Sequence, residues 1–240
     1  PVLSSRVITM ANSVLFGGGR DVAQNIEDAV VRLGVGAVLE LCYTLELPNS
    51  IKVPQTFGKT RYWKHGLAVA ILSRELGSKV LTDKEELDSC YLAGLVHDIG
   101  LLVYDYLVPE QFDQFLATTD FNDPDQPLEM LEKNFFGISH SEVGAAYLKE
   151  WWPVSPKVVE ATEAHGGPGL EKDQTPNLAR VISTANRIAN RYGLDHPFET
   201  GLHQAADESY LEALKMSREE MDELVDWAQI GVLAAESVLE

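Results

Sequence analysis

The chain has 240 residues, of which 45% are hydrophobic and 23% charged, so it can bury a sizeable core without disulfides or a structural metal. Its 37 acidic residues outnumber its 19 basic residues, which gives a formal net charge of −18. Such a charge repels phosphate backbones and anionic lipid headgroups, so we expect neither direct nucleic-acid binding nor docking on a membrane surface.

The cysteines and the apolar runs predict the compartment. Cys42 and Cys90 are the two cysteines of the chain, and both lie in apolar helical patterns, so we expect reduced core thiols. No apolar run approaches the roughly eighteen residues of a membrane-spanning helix, and no signal peptide is recognisable. We therefore predict a cytoplasmic protein. Because the chain opens on Pro1-Val2-Leu3 without Met, within the start of a helical pattern, we also expect residues upstream of it.

The apolar residues follow a helical period almost throughout. In chain order, they recur at three- and four-residue steps over residues 25–45 and again over 59–80. Thr82 with Glu85 then forms a capping-box pattern at the start of a helix that runs to His97. No alternating strand pattern and no internal repeat is evident in the sequence. The predicted fold class is all-α, a multi-helix bundle.

Three later helix starts are marked by serine. Ser139 with Glu142 repeats the capping box, Ser155 precedes a first-turn proline, and Ser217 with Glu220 opens a last helix. Stretches rich in glycine, proline and aspartate predict loops at residues 16–19, 47–50, 120–127 and 166–169.

These breaks suggest three parts. Residues 1–50 form an N-terminal helical lobe, residues 51–190 a larger helical domain, and residues 191–240 an acidic C-terminal helical segment that is either a third piece or a flanking helix pair. We interpret the acidic residues of this last segment as a solvated helix face rather than a partner-binding tail.

Four histidines share a helical context. His65 lies mid-helix, His97 ends a helix and is followed by Asp98, His140 lies in the first turn of its helix, and His165 lies at a helix end before a glycine loop. Each is at a helix end or on an inward face, so four imidazoles and one carboxylate could converge.

Such a cluster has the chemistry of a divalent-cation site. Imidazole and carboxylate suit zinc, iron or manganese, and magnesium is a further candidate. Asp98 could bridge two cations about 3.5–4 Å apart, which would activate water and neutralise a phosphate in phosphodiester hydrolysis. The alternative stays open for each histidine, because a lone histidine on an apolar helix face is most often a hydrogen-bonded core residue. His196 and His203 lie in a polar stretch and have no predicted role.

Several phrases carry a family resemblance. The order His65, then His97-Asp98, resembles the first signatures of the HD superfamily of metal phosphohydrolases, and residues 91–100, YLAGLVHDIG, resemble its core helix. The run from His140 to His165 is similar to the matching part of the HD-GYP phosphodiesterases. The phrases LSSRVITMANS (3–13), FG (16–17) and IEDAVVRLG (26–34) resemble the N-terminal lobe of HDOD proteins, which the other two branches lack. Over about residues 2–190, the chain is identified as a member of the HDOD type.

The resemblance implies a role in bacterial signalling. HDOD domains are helical regulatory domains, often attached to receiver or other sensory domains, and many are regarded as non-enzymatic. The partners that it implies are therefore signalling proteins, with a nucleotide as a further candidate ligand. Within the chain, residues 51–190 become the HD-like domain, and residues 1–50 the HDOD lobe.

Two departures from the hydrolase pattern bear on activity. HD hydrolases close their metal site with a late aspartate in a phrase that resembles Ala-Asp-Arg, but here Asn186 stands at that position. Asparagine offers a neutral carbonyl oxygen without charge, which weakens a dication site. The Gly-Tyr-Pro signature of the HD-GYP enzymes is absent, and neither Glu160 nor Glu163 substitutes for its carboxylate, since neither shares the helix face of His165.

We therefore predict a non-catalytic HDOD module that acts through protein partners, in which no catalytic residue is assigned. The alternative is a metal-dependent phosphohydrolase acting on a nucleotide or cyclic dinucleotide at a degenerate HD site. A third interpretation keeps a bound cation or nucleotide as a sensed ligand or a structural staple. The candidate metal ligands are His65, His97, Asp98, His140 and His165.

Overall fold

The structure, a computed structural model, describes residues 2–13, 22–50, 58–121, 126–172, 174–194 and 209–239. Twelve α-helices and no strand occur within these ranges, so the all-α prediction is confirmed. The helices are α1 (Val2–Ala11), α2 (Ile26–Ser50), α3 (Lys59–Val80), α4 (Lys84–Val96), α5 (Ile99–Leu107), α6 (Pro109–Thr118), α7 (Leu128–Phe136), α8 (His140–Trp151), α9 (Pro156–Ala164), α10 (Leu178–Arg191), α11 (Ser209–Leu214) and α12 (Arg218–Leu239).

The chain forms two compact units, Pro1–Lys52 with Asp222–Glu240, and Val53–Met221. In the first unit, α1 packs against α2, and the side chain of Asn12 exchanges two hydrogen bonds of 2.9 Å with the backbone of Ala23. The three-part division made from the sequence stays a prediction.

Helix α2 differs from its prediction in two ways. The helical run is broken at Gly34, where φ of 84° and ψ of 161° are non-helical, a conformation that glycine adopts without a Cβ penalty. It then continues to Ser50, so the loop predicted at residues 47–50 is wrong. The apolar period cannot reveal one non-helical residue within a helical run, because the same pattern resumes after that residue. The loop predicted at residues 16–19 lies outside the described residues.

The second unit is built around α3 and α4, which pack closely on each other, and α10 packs against both. Glycine makes this approach possible. An ideal Cβ on Gly94 would lie 2.7 Å from Cα of Ala70, and one on Gly66 would lie 2.8 Å from the carbonyl oxygen of Leu95. Around this core, α9 contacts α4, α8 and α10, while α5 contacts α8. The helices that carry the candidate site residues therefore pack directly on one another.

The helix starts test the capping predictions. Ser139 and Glu142 form the reciprocal capping box, and the Ser155 hydroxyl accepts from the backbone of Lys157. The box predicted at Thr82 is wrong, because Asp83 is the N-cap of α4 and accepts from the backbone N–H of Glu86. Aspartate caps at least as well as threonine, which accounts for the one-residue shift. At Ser217 the hydroxyl accepts from the backbone of Glu220, as predicted.

Replacing Ser139 with alanine is expected to lower the free energy of unfolding by about 1 kcal/mol. The serine hydroxyl and backbone N–H both donate to the carboxylate of Glu142 at 2.9 Å, and these hydrogen bonds lower the pKa of Glu142. Urea unfolding followed by circular dichroism measures the change. Ser217→Ala, at an exposed helix start, is the comparison and should cost less; equal midpoints for Ser139→Ala and the parent chain would contradict a stabilising cap.

Two inferences about compartment can be compared with the structure. In the described part of the chain, the stretch Lys84–Leu107 is the one that is long and apolar enough to cross a membrane, contrary to the sequence inference, but 83% of its window is buried inside the protein. It is divided into α4 and α5 at His97-Asp98. Such burial is typical of core helices. Both cysteines are thiols that form no disulfide with a described residue; Cys90 is buried and Cys42 half-buried.

Candidate functional site

The structure brings the five candidate metal ligands together in the second unit. Asp98 lies at the centre, and each of the five residues is at most 4% exposed. Oδ2 of Asp98 lies 3.1 Å from Nε2 of His97 and 3.8 Å from Nε2 of His65. Oδ1 lies 3.2 Å from Nε2 of His165 and 3.4 Å from Nε2 of His140. One carboxylate thus faces four imidazole rings.

Four separate pieces of chain position these groups. His65 lies within α3, and His97-Asp98 form the turn between α4 and α5. His140 is the first residue of α8, and His165 is the C-cap of α9. The absence of a side chain at Gly66, next to His65, lets the backbone of α4 approach and brings the two helices' site residues within reach.

Each ring is oriented by a hydrogen bond from its Nδ1. Carbonyl and carboxylate oxygens only accept, so each Nδ1 carries a proton and donates, and the Nε2 of a ring in its neutral form presents a lone pair towards Asp98. The four donor–acceptor pairs are His65 to Leu194 O at 3.0 Å, His97 to Gly94 O at 2.8 Å, His165 to Thr162 O at 2.7 Å and His140 to Glu132 Oε2 at 2.6 Å.

Burial and charge shift the pKa values of the rings in opposite directions. Burial lowers the pKa of His97, and the adjacent negative charge of Asp98 offsets this only in part. Burial acts in the same direction on His140, but the charges and hydrogen bonds of Glu132 and Asp98 outweigh it, so the pKa of His140 lies well above its ordinary value. Without a cation, we therefore expect His140 to hold a proton in the cluster.

Asn186 contacts the cluster at the position inferred for the lost carboxylate. It lies half-buried on α10, and its Oδ1 is 3.1 Å from Nε2 of His65. Because the Nδ1 of His65 donates to Leu194, Nε2 is an acceptor, and the contact is a hydrogen bond when the amide turns its NH2 group to the ring. The amide of Asn186 can thus supply a hydrogen-bond donor to Nε2 of His65 in the absence of a cation. An ionised aspartate at this position would have no proton to donate.

The donor set fits a divalent cation. Two groups of side chains place their ligand atoms within 4.8 Å of one another, and they share Asp98: one contains His65 and His97, the other His140 and His165. Nε2 of His97 makes no hydrogen bond to any described residue, although it is fully buried. A set of imidazole nitrogens with one carboxylate suits zinc, iron or manganese better than magnesium, which prefers oxygen ligands.

Glu132, on α7, is a site residue that the sequence analysis missed. It is fully buried, and its Oε2 accepts from both the backbone N–H of His140 at 2.8 Å and the ring Nδ1 at 2.6 Å. A signal was present, because Glu132 lies four residues after the buried Leu128 and so shares the inward face of α7. One acidic residue on an apolar helix face indicates a buried polar partner.

The glycine loop after His165 is attached to α10. The carbonyl of Gly167 accepts from the Ser183 hydroxyl at 2.7 Å and from Arg187 at 3.0 Å. The backbone N–H of Leu170 donates to Thr184 at 2.7 Å. These hydrogen bonds hold the end of α9, and with it His165, against the helix that carries Asn186. His196 and His203 lie outside the described residues.

Two features define a domain of HD type. The chain is all-α, with helices that precede the second unit, and that unit holds a buried cluster of histidines around one aspartate. Residues 1–168 match the HDOD domain family, and the chain belongs to that family.

Solved structures share the fold. A protein named "putative phosphohydrolase" from Shewanella amazonensis SB2B superposes with a TM-score of 0.73 at 23% identity, over 100% of this chain and 83% of that one. An HDOD domain protein with unknown function from Geobacter sulfurreducens gives 0.72 at 21% identity, over 99% and 81% of the two chains. A "putative signal transduction protein" from Marinobacter aquaeolei VT8 gives 0.70 at 22% identity, over 98% and 52%. At these identities the likeness shows the fold alone.

A relative by sequence is an uncharacterized protein of Treponema pallidum (strain Nichols), 22% identical over 198 residues. The match covers 82% of this chain but 37% of the length of that protein.

Proposed function

We propose that this chain is a non-catalytic regulatory module of bacterial signal transduction, which acts in the cytoplasm by binding a signalling protein such as a receiver or sensor domain. The proposal depends chiefly on the contact between Asn186 and His65, 3.1 Å apart. A neutral amide stands where a hydrolytic HD site requires a carboxylate, and it can satisfy the ring by itself. A protein of the same fold that is named for signal transduction supports the regulatory role.

The charge of the cluster also argues against turnover. Asp98 is the one carboxylate that the described residues place between the rings. A pair of dications would bring four positive charges towards Asp98 and the Glu132 carboxylate behind His140, which together carry two negative charges. The repulsion in a buried site disfavours binding of the second ion, which phosphodiester hydrolysis at a two-ion centre requires.

A metal-dependent phosphohydrolase acting on a nucleotide or cyclic dinucleotide is the second candidate. The observation that favours it is the set of four Nε2 lone pairs directed at Asp98, since such a set is complementary to a cation. His65, His97, Asp98, His140 and His165 would hold the metal, which when bound supplies a Lewis acid for a phosphate oxygen. The residues of the chain would orient it and exclude water, as all five are buried.

Metal analysis and an activity assay separate the two candidates. We expect protein purified without chelator to hydrolyse neither bis-p-nitrophenyl phosphate nor cyclic diguanylate above background, with zinc, iron or manganese added. Turnover that depends on metal and disappears in Asp98→Ala would overturn the proposed function in favour of the hydrolase.

Restoring the carboxylate is the sharper test. Asn186→Asp is expected to tighten zinc binding by about tenfold or more, because it adds an anionic ligand beside His65. Isothermal titration calorimetry on chelator-stripped protein measures the affinity. Asn134→Asp adds the same charge on the exposed face of α7 and is the control. Equal affinities for Asn186→Asp and the parent chain would show that position 186 does not face the cation.

A further inference from the structure

The exposed side of helix α2, in the first unit, is apolar where a surface helix is ordinarily polar. Between residues 29 and 45, all of which the structure describes, every exposed residue is apolar, aromatic or glycine. We call this set the α2 apolar surface, and it consists of Val31, Gly34, Val35, Gly36, Leu39 and Tyr43. Val31 is 87% exposed, Val35 62% and Leu39 48%. The outward side of a helix usually carries charged residues, so a continuous apolar run indicates a surface that a partner covers.

Three side chains of this surface share one face of the helix. Val35, Leu39 and Tyr43 follow one another at steps of four residues in the segment after the break in α2, so they form one row. On the other side of the same segment, Leu41 and Leu45 are fully buried. The core contacts of α2 are therefore already made, and the exposed row is additional to them.

Two glycines leave room beside the row. Apart from chain neighbours and the nearby backbone of the helix itself, no atom of the described residues lies within 4 Å of an ideal Cβ at Gly34 or Gly36. The backbone of α2 is therefore open between the larger side chains. Side chains of a second helix can enter such a space, because helices pack with the ridges of one in the grooves of the other.

Acidic residues bound the surface at both ends. Glu27 lies one turn before it and Glu46 about one turn after it, and both are exposed. Arg32 is the one basic residue of α2. Its guanidinium donates to the backbone carbonyl of Ala11 and, at 3.2 Å, to the side chain of Asn12, so it is directed towards the end of α1. The surface is thus apolar in the middle and negative at its ends.

This charge pattern selects among the possible occupants. A second copy of the chain would bring acidic ends against acidic ends in both the parallel and the antiparallel arrangement, and each copy has a net charge of −18. Anionic lipid headgroups would be repelled in the same way. A helix with an apolar face between basic ends is complementary to the surface in hydrophobicity and in charge.

We propose that the α2 apolar surface is the docking site for an amphipathic helix of a signalling partner, with apolar residues at three- and four-residue steps and lysine or arginine at both ends. The apolar face covers Val35, Leu39 and Tyr43, and the basic ends lie against Glu27 and Glu46. A helix of about 20 residues, roughly 30 Å long, spans this surface. The inference rests on the proposed function in one respect, since the module acts through a protein partner.

Two synthetic peptides of about 20 residues test the proposal with the full chain. Both carry leucine at three- and four-residue steps in the centre; one ends in lysines and the other in glutamates. Fluorescence anisotropy at low salt should give a Kd at least about tenfold lower for the lysine peptide, and added salt should reduce the difference. Equal binding of the two peptides, or no binding of the lysine peptide, would overturn the proposal.

Because the whole chain is acidic, the charge preference must be assigned to this surface. The double variant Glu27→Gln/Glu46→Gln should weaken binding of the lysine peptide by about threefold or more. Glu110→Gln/Glu150→Gln removes the same charge at exposed positions of the second unit and is the control. The same weakening in both double variants would contradict docking on α2.

Two leucine variants assign the apolar contact. Leu39→Gln should weaken binding of the lysine peptide by about tenfold or more, whereas Leu107→Gln, at an exposed leucine of α5, should stay within about twofold of the parent chain. Equal effects of the two changes would overturn the proposal. Circular dichroism checks that both variants fold, and Val35→Thr, at the more exposed position, is the replacement if Leu39→Gln does not; it should weaken binding by about threefold.

The other occupants give distinct results. Sedimentation equilibrium should show a monomer; a dimer that Leu39→Gln dissociates would assign the surface to a second copy and overturn the proposal. Flotation with vesicles of phosphatidylcholine and phosphatidylglycerol should leave the protein unbound, and flotation that Leu39→Gln abolishes would also overturn it. Metal-dependent turnover would refute the proposed function but leave the peptide results unchanged, so the two ideas fail on different observations.

Discussion

Gly100→Ala is expected to destabilise the second unit by more than about 3 kcal/mol, the upper range for overpacking a close contact. An ideal Cβ on Gly100 would lie 2.6 Å from the carbonyl carbon of His140 and 2.9 Å from the backbone N of Gly144. Both are backbone atoms, which cannot rotate away as the end of a flexible side chain can. Helices α5 and α8 would have to move apart.

The same movement should affect the cluster. Gly100 lies two residues after Asp98, and His140 is the first residue of α8, so separating the helices draws Oδ1 of Asp98 away from Nε2 of His140, now 3.4 Å apart. Urea unfolding measures the stability, and zinc titration should show weaker binding in any variant that still folds.

Gly36→Ala is the matched control for this prediction. Outside the nearby backbone of its own helix, no atom of the described residues lies within 4 Å of an ideal Cβ at Gly36, and its φ is not in the left-handed region. The change should leave stability equal or raise it by up to about 1 kcal/mol, because alanine has the higher helix propensity. Parent-like unfolding of Gly100→Ala would contradict the close packing of α5 on α8.

The second large effect is a loss of stability at alkaline pH in the metal-free protein. The folded state raises the pKa of His140 well above the value near 6.5 expected in the unfolded chain. The native state therefore binds a proton that the unfolded state has released, and stability falls as pH rises between these two pKa values. The slope for one proton is about 1.4 kcal/mol per pH unit.

His97 affects the stability of the protein on the acidic side of neutrality. Burial lowers its pKa, so the unfolded state takes up a proton first and stability falls as pH drops below about 6.5. Free energies of unfolding measured with chelator present, from pH 5 to pH 9.5, should therefore pass through a maximum near neutrality. Glu132→Gln removes the main charge that raises the pKa of His140 and should flatten the alkaline side. An unchanged alkaline slope in Glu132→Gln would contradict the assignment to His140.

Much of the fold could be predicted because its signals are local. The serine caps at Ser139, Ser155 and Ser217 depend on residues two or three positions away, which the sequence displays directly. The error at Thr82 is of the same local kind, since Asp83 next to it competes for the cap. Helical period also placed the start of α3 at residue 59.

The site was predictable in its ligands but not in what holds them. His65, His97, Asp98, His140 and His165 are visible through a family resemblance, and the structure brings them together. Glu132 shares the inward face of α7 with Leu128, but the partner that gives it a role, His140, belongs to another helix and is not marked in the sequence around Glu132.

By itself, the sequence determined the all-α class and several helix starts, because helical period and capping act over one or two turns. Its resemblance to HDOD proteins indicated the family and the residues that converge. Only the tertiary structure decided that Glu132 holds His140, that Asn186 meets His65 across 121 residues of chain, and that α5 and α8 touch at Gly100. These contacts follow from the relative orientation of the packed helices. The apolar period of the sequence indicates which face of a helix is buried, but it does not indicate which other helix covers that face.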